Sequence, residues 1–213
     1  MKKFSFCLMA LALVAATFTS CHKDDDEEET KTELNTLSAT CGDHGEFSTS
    51  LAGFYQSASS DNSGTSKLSD FFDNEEGSTT IAGTAKMDGG SKQLAINIKG
   101  TTAGTYRLAV STEQTITNAI IDLLSGKSTK ETFQNAVDGI ETNALIIYRS
   151  VNDTEESSTY YFSTEATVTF DNTLIVYSTG TFTATMVNKD KDTFTISDGT
   201  FKVFGKPTIG GSK

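Results

Sequence analysis

Ser178-Thr179-Gly180-Thr181-Phe182-Thr183-Ala184-Thr185-Met186-Val187, followed by Asn188-Lys189-Asp190-Lys191-Asp192 and then Thr193-Phe194-Thr195-Ile196, is the stretch that decides the fold of this 213-residue chain. Threonine alternates with apolar residues from Thr181 to Met186 and again from Thr193 to Ile196. A period of two places one residue type on each face of a β-strand. The five polar residues between the two runs read as a turn, so the stretch is a hairpin. Threonine is β-branched, stiff at χ1 and suited to the solvent face of a strand. The chain contains 34 threonines, no tryptophan and a single proline, Pro207.

Working outward, residues 144–149, 159–163, 166–170, 174–187 and 193–204 are rich in β-branched and aromatic side chains, and 152–156 and Asp171-Asn172 have turn composition. Upstream, 47–55, 79–87, 93–99 and 105–110 read as strands too, with Asp88-Gly89-Gly90 as a hairpin turn. One segment departs from the pattern. Ile116, Ala119, Ile120, Leu123 and Leu124 follow the i, i+3, i+4, i+7, i+8 spacing of a helix face, closed by Ser125-Gly126. A shorter run with Phe133, Ala136, Val137 and Ile140 follows. Together they predict a helical hairpin inserted at about residues 113–140 and packed on the β core. The expected architecture is mainly β: an antiparallel β-sandwich or barrel-like domain of about eight to ten strands.

Gly104-Thr105-Tyr106, Gly180-Thr181-Phe182 and Gly199-Thr200-Phe201 form an internal echo, each opening a strand with glycine, threonine and an aromatic residue. Glycine inside a strand marks a bulge or a close backbone approach. The order Gly104-Thr105-Tyr106-Arg107-Leu108, then Ser178-Thr179-Gly180-Thr181-Phe182-Thr183-Ala184, then Ile196-Ser197-Asp198-Gly199-Thr200-Phe201 resembles an uncharacterised family of Bacteroidetes lipoproteins. Members share a β-rich C-terminal domain of unknown function ending in paired Gly-Thr-Phe strands. The resemblance implies a β fold and a lipid anchor, and implies no chemistry.

The first thirty residues supply an address. Lys2 and Lys3 precede an apolar run over residues 4–18. That is shorter than the roughly 20 residues a membrane-spanning helix needs, and it has the form of a signal peptide. Phe18-Thr19-Ser20-Cys21 resembles a lipobox, with cleavage between Ser20 and Cys21 and acyl chains on Cys21. The following Asp24, Asp25, Asp26, Glu27, Glu28 and Glu29 look like the acidic export signal of surface lipoproteins. The expected organisation is a signal peptide over 1–20, a lipidated cysteine and acidic tether over 21–35, and one β-rich domain over 36–213. A run of six carboxylates cannot collapse into a core. Several acyl chains hold a protein at a membrane where one would not. The outer membrane, with the domain at the cell surface, is the expected location, and a periplasm-facing domain is the alternative.

The net charge is −11, which excludes a nucleic-acid binder, because phosphate neutralisation needs the opposite sign. Cys7 leaves with the leader and Cys21 is acylated, so Cys41 remains alone and no internal disulfide forms. His44 is the only histidine of the expected domain, in Cys41-Gly42-Asp43-His44-Gly45-Glu46. Those six residues hold four ligand-type side chains, yet structural zinc wants four nitrogen or sulfur ligands, and they read as a polar turn before the first strand. A Cys41–His44 nucleophilic pair would lack an orienting third group. No Gly-x-Ser-x-Gly elbow serves a triad, and the 188–192 run lacks the glycine and glutamate of a calcium loop. Tyr161, opposite in phase to Tyr160 and Phe162, is the one candidate ligand contact, as an exposed stacking residue, with a half-buried strand tyrosine as the favoured alternative.

No metal, cofactor or catalytic residue is therefore expected. The leading expectation is a non-enzymatic lipoprotein, held at the membrane by Cys21, that binds a glycan or protein partner through its membrane-distal loops. The alternatives are a polysaccharide- or peptidoglycan-directed hydrolase using carboxylates drawn from Asp153, Glu155, Glu156, Glu165 and Asp171, and an accessory subunit of an outer-membrane assembly.

Overall fold

The computed structural model describes residues 35–57, 77–109, 114–171 and 177–204. The expected signal peptide over 1–20 with Ser20, the expected acylation site Cys21 and the acidic block Asp24, Asp25, Asp26, Glu27, Glu28 and Glu29 lie outside the described residues. Ten strands are present: β1 (Thr36–Cys41), β2 (Glu46–Thr49), β3 (Gly53–Ser57), β4 (Ser78–Met87), β5 (Gly90–Lys99), β6 (Gly104–Ala109), β7 (Ala144–Asn152), β8 (Ser157–Asp171), β9 (Tyr177–Asn188) and β10 (Thr193–Phe204). Two short helices, α1 (Gln114–Leu124) and α2 (Lys130–Ala136), separate β6 from β7. All ten strands belong to one antiparallel sheet in the order β2-β1-β10-β9-β8-β7-β5-β4-β3, with β6 also paired to β8.

The sheet's two edges are consecutive in the chain. β2 and β3 lie at opposite ends of the order, yet only Ser50, Leu51 and Ala52 join them. Three linking residues span at most about 15 Å from Thr49 to Gly53, so the sheet has to curl until its edges approach. The result is a half-barrel rather than two packed sheets. Gly83 of β4 closes against this seam, where an added Cβ would meet Thr49, Leu37 and the Ala52 backbone. The Ala52 N–H donates to the Asn35 carbonyl at 2.7 Å.

Two bulges permit the curl. Along β10, Phe194 and Ile196 point inward, and so do Phe201 and Val203, which are out of phase with them. Ser197 and Asp198, the latter at φ 52°, absorb the extra residue. In β8 the inward set changes phase between Ser163 and Ala166, across a shift in pairing with β9. A one-residue slip turns every later side chain to the other face, and a bulge adds local twist. The segments 159–163 and 166–170, expected as separate strands, are therefore one bulged strand.

The Gly-Thr-aromatic echo also resolves into packing. Gly180 pairs with Phe201 and Gly199 with Phe182, so each glycine of the β9–β10 hairpin lies opposite the aromatic residue of the other motif. Phe170 of β8 lies between Gly104 and Gly180. A Cβ on Gly180 would strike the Phe201 ring and the Thr169 carbonyl; one on Gly199 would strike the Phe182 ring.

β6 and β7 run end to end along β8 in the same direction, Ala109 opposite Glu165 and Ile147 opposite Phe162. They form one strand trajectory interrupted by the helices. The two ends of the interruption meet: Leu108 bridges Thr142, and the Asn143 N–H donates to the Arg107 carbonyl at 2.7 Å. Ile120, Leu123, Phe133 and Val137 are buried in the same core as the inner face of the sheet, so that part of the expected helical stripe is core. The side chains of Ile116 and Leu124 lie outside the described residues. Thr129 caps α2 by accepting from the Thr132 N–H at 3.2 Å.

Two upstream expectations need correction. Residues 47–55 are not one strand but parts of β2 and β3 on opposite edges. Cys41 to Glu46 does not precede the first strand but joins β1 to β2, because Thr36–Cys41 is itself a strand. We expect Gly180→Ala to destabilise the fold by about 1–3 kcal/mol through overpacking, and Thr181→Ala on the exposed face to change it by less than about 0.5 kcal/mol; urea unfolding of both variants checks this.

Candidate functional site

The chain enters at Asn35 and its last described strand ends at Phe204 on the same end of the half-barrel, where the Phe204 N–H donates to Asn35 Oδ1 at 2.8 Å. At the opposite end sit the turns that follow β1, β4, β7 and β9: Gly42–His44, Asp88-Gly89, residues 153–156 and residues 189–192. The pairing of Gly90 with Asn152 and of Tyr161 with Asn188 brings these tips together. They carry Asp43, Asp88, Asp153, Glu155, Glu156, Asp190 and Asp192.

Beneath this end three residues singled out in the sequence converge. The imidazole of His44 stands 5.4 Å from the Tyr148 ring, 5.1 Å from Tyr161 and 4.6 Å from Phe194. Cys41 lies on the inner face of β1 with no exposure. Tyr161 is 6% exposed, so it is a core ring and not the exposed stacking residue expected of a ligand contact. Each such aromatic pair contributes about 0.5–1.5 kcal/mol beyond its buried area.

Lys92 of β5 reaches across to this turn, and its ammonium donates to the carbonyl oxygens of His44 and, at 3.1 Å, Glu46. It straps the β1–β2 connection to the far wall. The turn itself is closed by Cys41 N–H to the Gly45 carbonyl and Gly45 N–H to the Gly42 carbonyl, both at 3.0 Å. Gly42 at φ 46° and Gly45 at φ 70° supply backbone that other residues adopt at a cost.

Burial sets the titration of the cluster. It pushes the Cys41 thiol up to about 11, with Lys92 opposing and Glu46 adding. Such a thiol is protonated at neutral pH and is no nucleophile. Burial likewise holds His44 below its ordinary value, helped by the Lys92 charge and opposed by Asp43. Tyr161 is raised by burial and then by Asp192, against a hydrogen bond from Asn188. Tyr148 is raised by burial, and its fully buried hydroxyl has no hydrogen-bond partner.

The remaining candidates separate. Glu46 turns outward, where Thr40 Oγ1 donates to it at 3.1 Å, while Cys41 faces the core, so the donors of that turn do not converge. Among the described residues no group of three or more His, Cys, Asp or Glu side chains is placed to hold a metal ion. Asn188 organises the 188–192 turn: its Oδ1 accepts from the N–H groups of Asp190 and Asp192, and its Nδ2 donates to the Asp192 carboxylate, all at 2.9 Å. Glu165 lies mid-strand on the outer face of β8, about 20 Å along the strand from Asp171 and further still from the 153–156 tip. Glu165, Asp171 and the 153–156 tip are thus too far from one another to pair as acid and base, whereas Asp153, Glu155 and Glu156 share one exposed turn.

Two open hollows mark the surface. One of about 180 Å³ lies on the outer face, lined by Glu165, Thr167, Thr183, Thr185 and Thr195. The other, of about 440 Å³, lies at the turn end between Met87, Asp88, Asn152, Thr154 and Glu155. Met87 is 49% exposed there. Sequence reading missed Tyr148, Phe194 and Lys92. Their phase along β7, β10 and β5 was readable, but not which strands would be neighbours.

No family model matches the chain, and no curated protein and no solved structure matches it.

Two outcomes follow for the cluster. Tyr148→Phe deletes the unpartnered hydroxyl without changing shape, so stability should hold or rise by up to about 1 kcal/mol in chemical denaturation. Neutral His44 is favoured in the folded chain, so below the ordinary value of 6.5 the unfolded chain takes up a proton that the folded chain resists. Stability should fall with acid through that window, and His44→Leu should flatten the melting temperature measured between pH 7 and pH 5.

Proposed function

We propose that this chain is an exported lipoprotein, cut between Ser20 and Cys21, acylated on Cys21, and carried to the cell surface with the acidic block Asp24 to Glu29 as its export signal. In this reading the half-barrel is a non-enzymatic binding domain of the lipoprotein family that its Gly-Thr-aromatic strands resemble. The observation that carries the binding role is polarity of the fold. The chain enters beside Phe204 at one end, and four turns carrying seven carboxylates gather at the other, with Lys189 and Lys191 among them. A tether of the 14 residues from His22 to Asn35 reaches at most roughly 50 Å, and it would present the turn end away from the bilayer. A glycan or protein partner is taken at that end.

The hydrolase reading gains no support from Glu165 and Asp171, which lie far from the 153–156 turn along β8. The accessory-subunit reading loses the helical face as a contact surface, because Ile120 and Leu123 are buried. Protease shaving of intact cells, run beside a Cys21→Ala variant, tests the proposal. The wild-type domain should be shaved from cells, and the variant should leave the membrane fraction. Resistance of the wild type would sink surface display, and a membrane-bound variant would sink the lipid anchor.

A further inference from the structure

Tyr148, Tyr161 and Phe194 make three walls of a box. Their ring centroids lie 5.0 Å (Tyr161–Phe194), 5.2 Å (Tyr148–Phe194) and 6.0 Å (Tyr148–Tyr161) apart, with planes inclined by 64–74°. The box is occupied by His44, which touches all three rings. These walls are 0%, 6% and 8% exposed, whereas His44 is only half-buried. The occupant is thus the member that solvent reaches most. It rides on the three-residue turn Gly42–His44, which opens on one left-handed glycine and is followed by another, Gly45. The buried Tyr148 hydroxyl lacks a partner, and buried polar groups in native proteins are normally paired.

We propose that Tyr148, Tyr161 and Phe194 form a binding cage for an organic ammonium cation, with His44 as a displaceable lid. Aromatic faces carry negative quadrupole charge and attract ammonium groups, most strongly when water is excluded. The mouth carries charges of both signs, with Lys189 and Lys191 in the same turn as Asp190 and Asp192, so the aromatic faces have to supply the attraction. Asp43 sits on the lid, and Asp190 and Asp192 act on Tyr161. Lys92 is the opposing charge nearest the lid, and it is fastened to the carbonyl oxygens of His44 and Glu46. It therefore latches the lid shut and repels a cation from the closed site. When the turn swings out on its glycines, the cation replaces a neutral imidazole against the three rings. This deepens the binding role proposed above and rests on it for a biological setting, but the cage is tested independently of where the protein resides.

The full chain carrying Cys21→Ala, which receives no lipid, is titrated with choline and with its neutral carbon isostere, in which a tert-butyl group replaces trimethylammonium. Ring resonances of the tyrosines and calorimetry report binding. His44→Ala empties the cage and Lys92→Met releases the latch. Each should tighten choline binding roughly tenfold or more over the parent, with the isostere at least roughly tenfold weaker than choline. Adding Phe194→Leu to His44→Ala should reverse the gain. Equal binding of choline and isostere would overturn the proposal, as would the absence of a gain in both single variants. Loss of membrane attachment by the Cys21→Ala chain bears on the anchor alone.

Discussion

Three residues, Ser50 to Ala52, impose the shape on which the rest of the molecule depends. A nine-strand path laid flat would span about 40 Å at the usual strand spacing, and its edges could not be joined by so short a link. Because β2 and β3 occupy those edges, the sheet is bent round from the outset. Both edge strands are short, and curling brings them toward each other, which limits their exposure to foreign strands. The interior then needs filling from within one concave face. The core draws on every strand wall and on α1 and α2 together.

A strongly bent sheet demands local devices, and this chain uses two kinds. Bulges at Ser163–Glu165 and at Ser197–Asp198 change which face later residues point to. Glycines opposite phenylalanines clear the space that large rings need on a concave surface. The pattern is reciprocal in the β9–β10 hairpin, Gly180 with Phe201 and Gly199 with Phe182. That reciprocity gives the repeated Gly-Thr-aromatic wording a mechanical meaning.

Much of the β character was legible because threonine and apolar residues alternate with strong contrast, as in Thr193 to Ile196, and the helical stripe at Ile120 and Leu123 stood out against that background. Strand β1 was missed because Thr36, Ser38 and Thr40 alternate with Leu37, Ala39 and Cys41, a weaker contrast of small residues. β2 and β3 were merged because Ser50-Leu51-Ala52 carries no glycine or proline to mark a change of direction. The phase break in β10 was available in Ser197-Asp198-Gly199, once alternation is counted through it. The cluster at the turn end was only partly legible. Cys41, His44 and Tyr161 each drew notice alone, but their meeting depends on Tyr148 and Phe194, supplied by strands that neighbour them only through long-range register. The curl also decided that Tyr161 faces inward.

The pairing of the first strand with the last sets an order on folding. Ser38 and Thr200, 162 residues apart, share a hydrogen bond across β1 and β10. A contact of such sequence separation is closed late and at a high loop entropy, so chains of this topology fold slowly. Until β10 has formed on β9, the N-terminal hairpin has no strand to dock on, and the aromatic cluster lacks Phe194. The β9–β10 hairpin, local and reinforced by its interlocked glycines and phenylalanines, is the natural nucleus onto which the oldest part of the chain is added last.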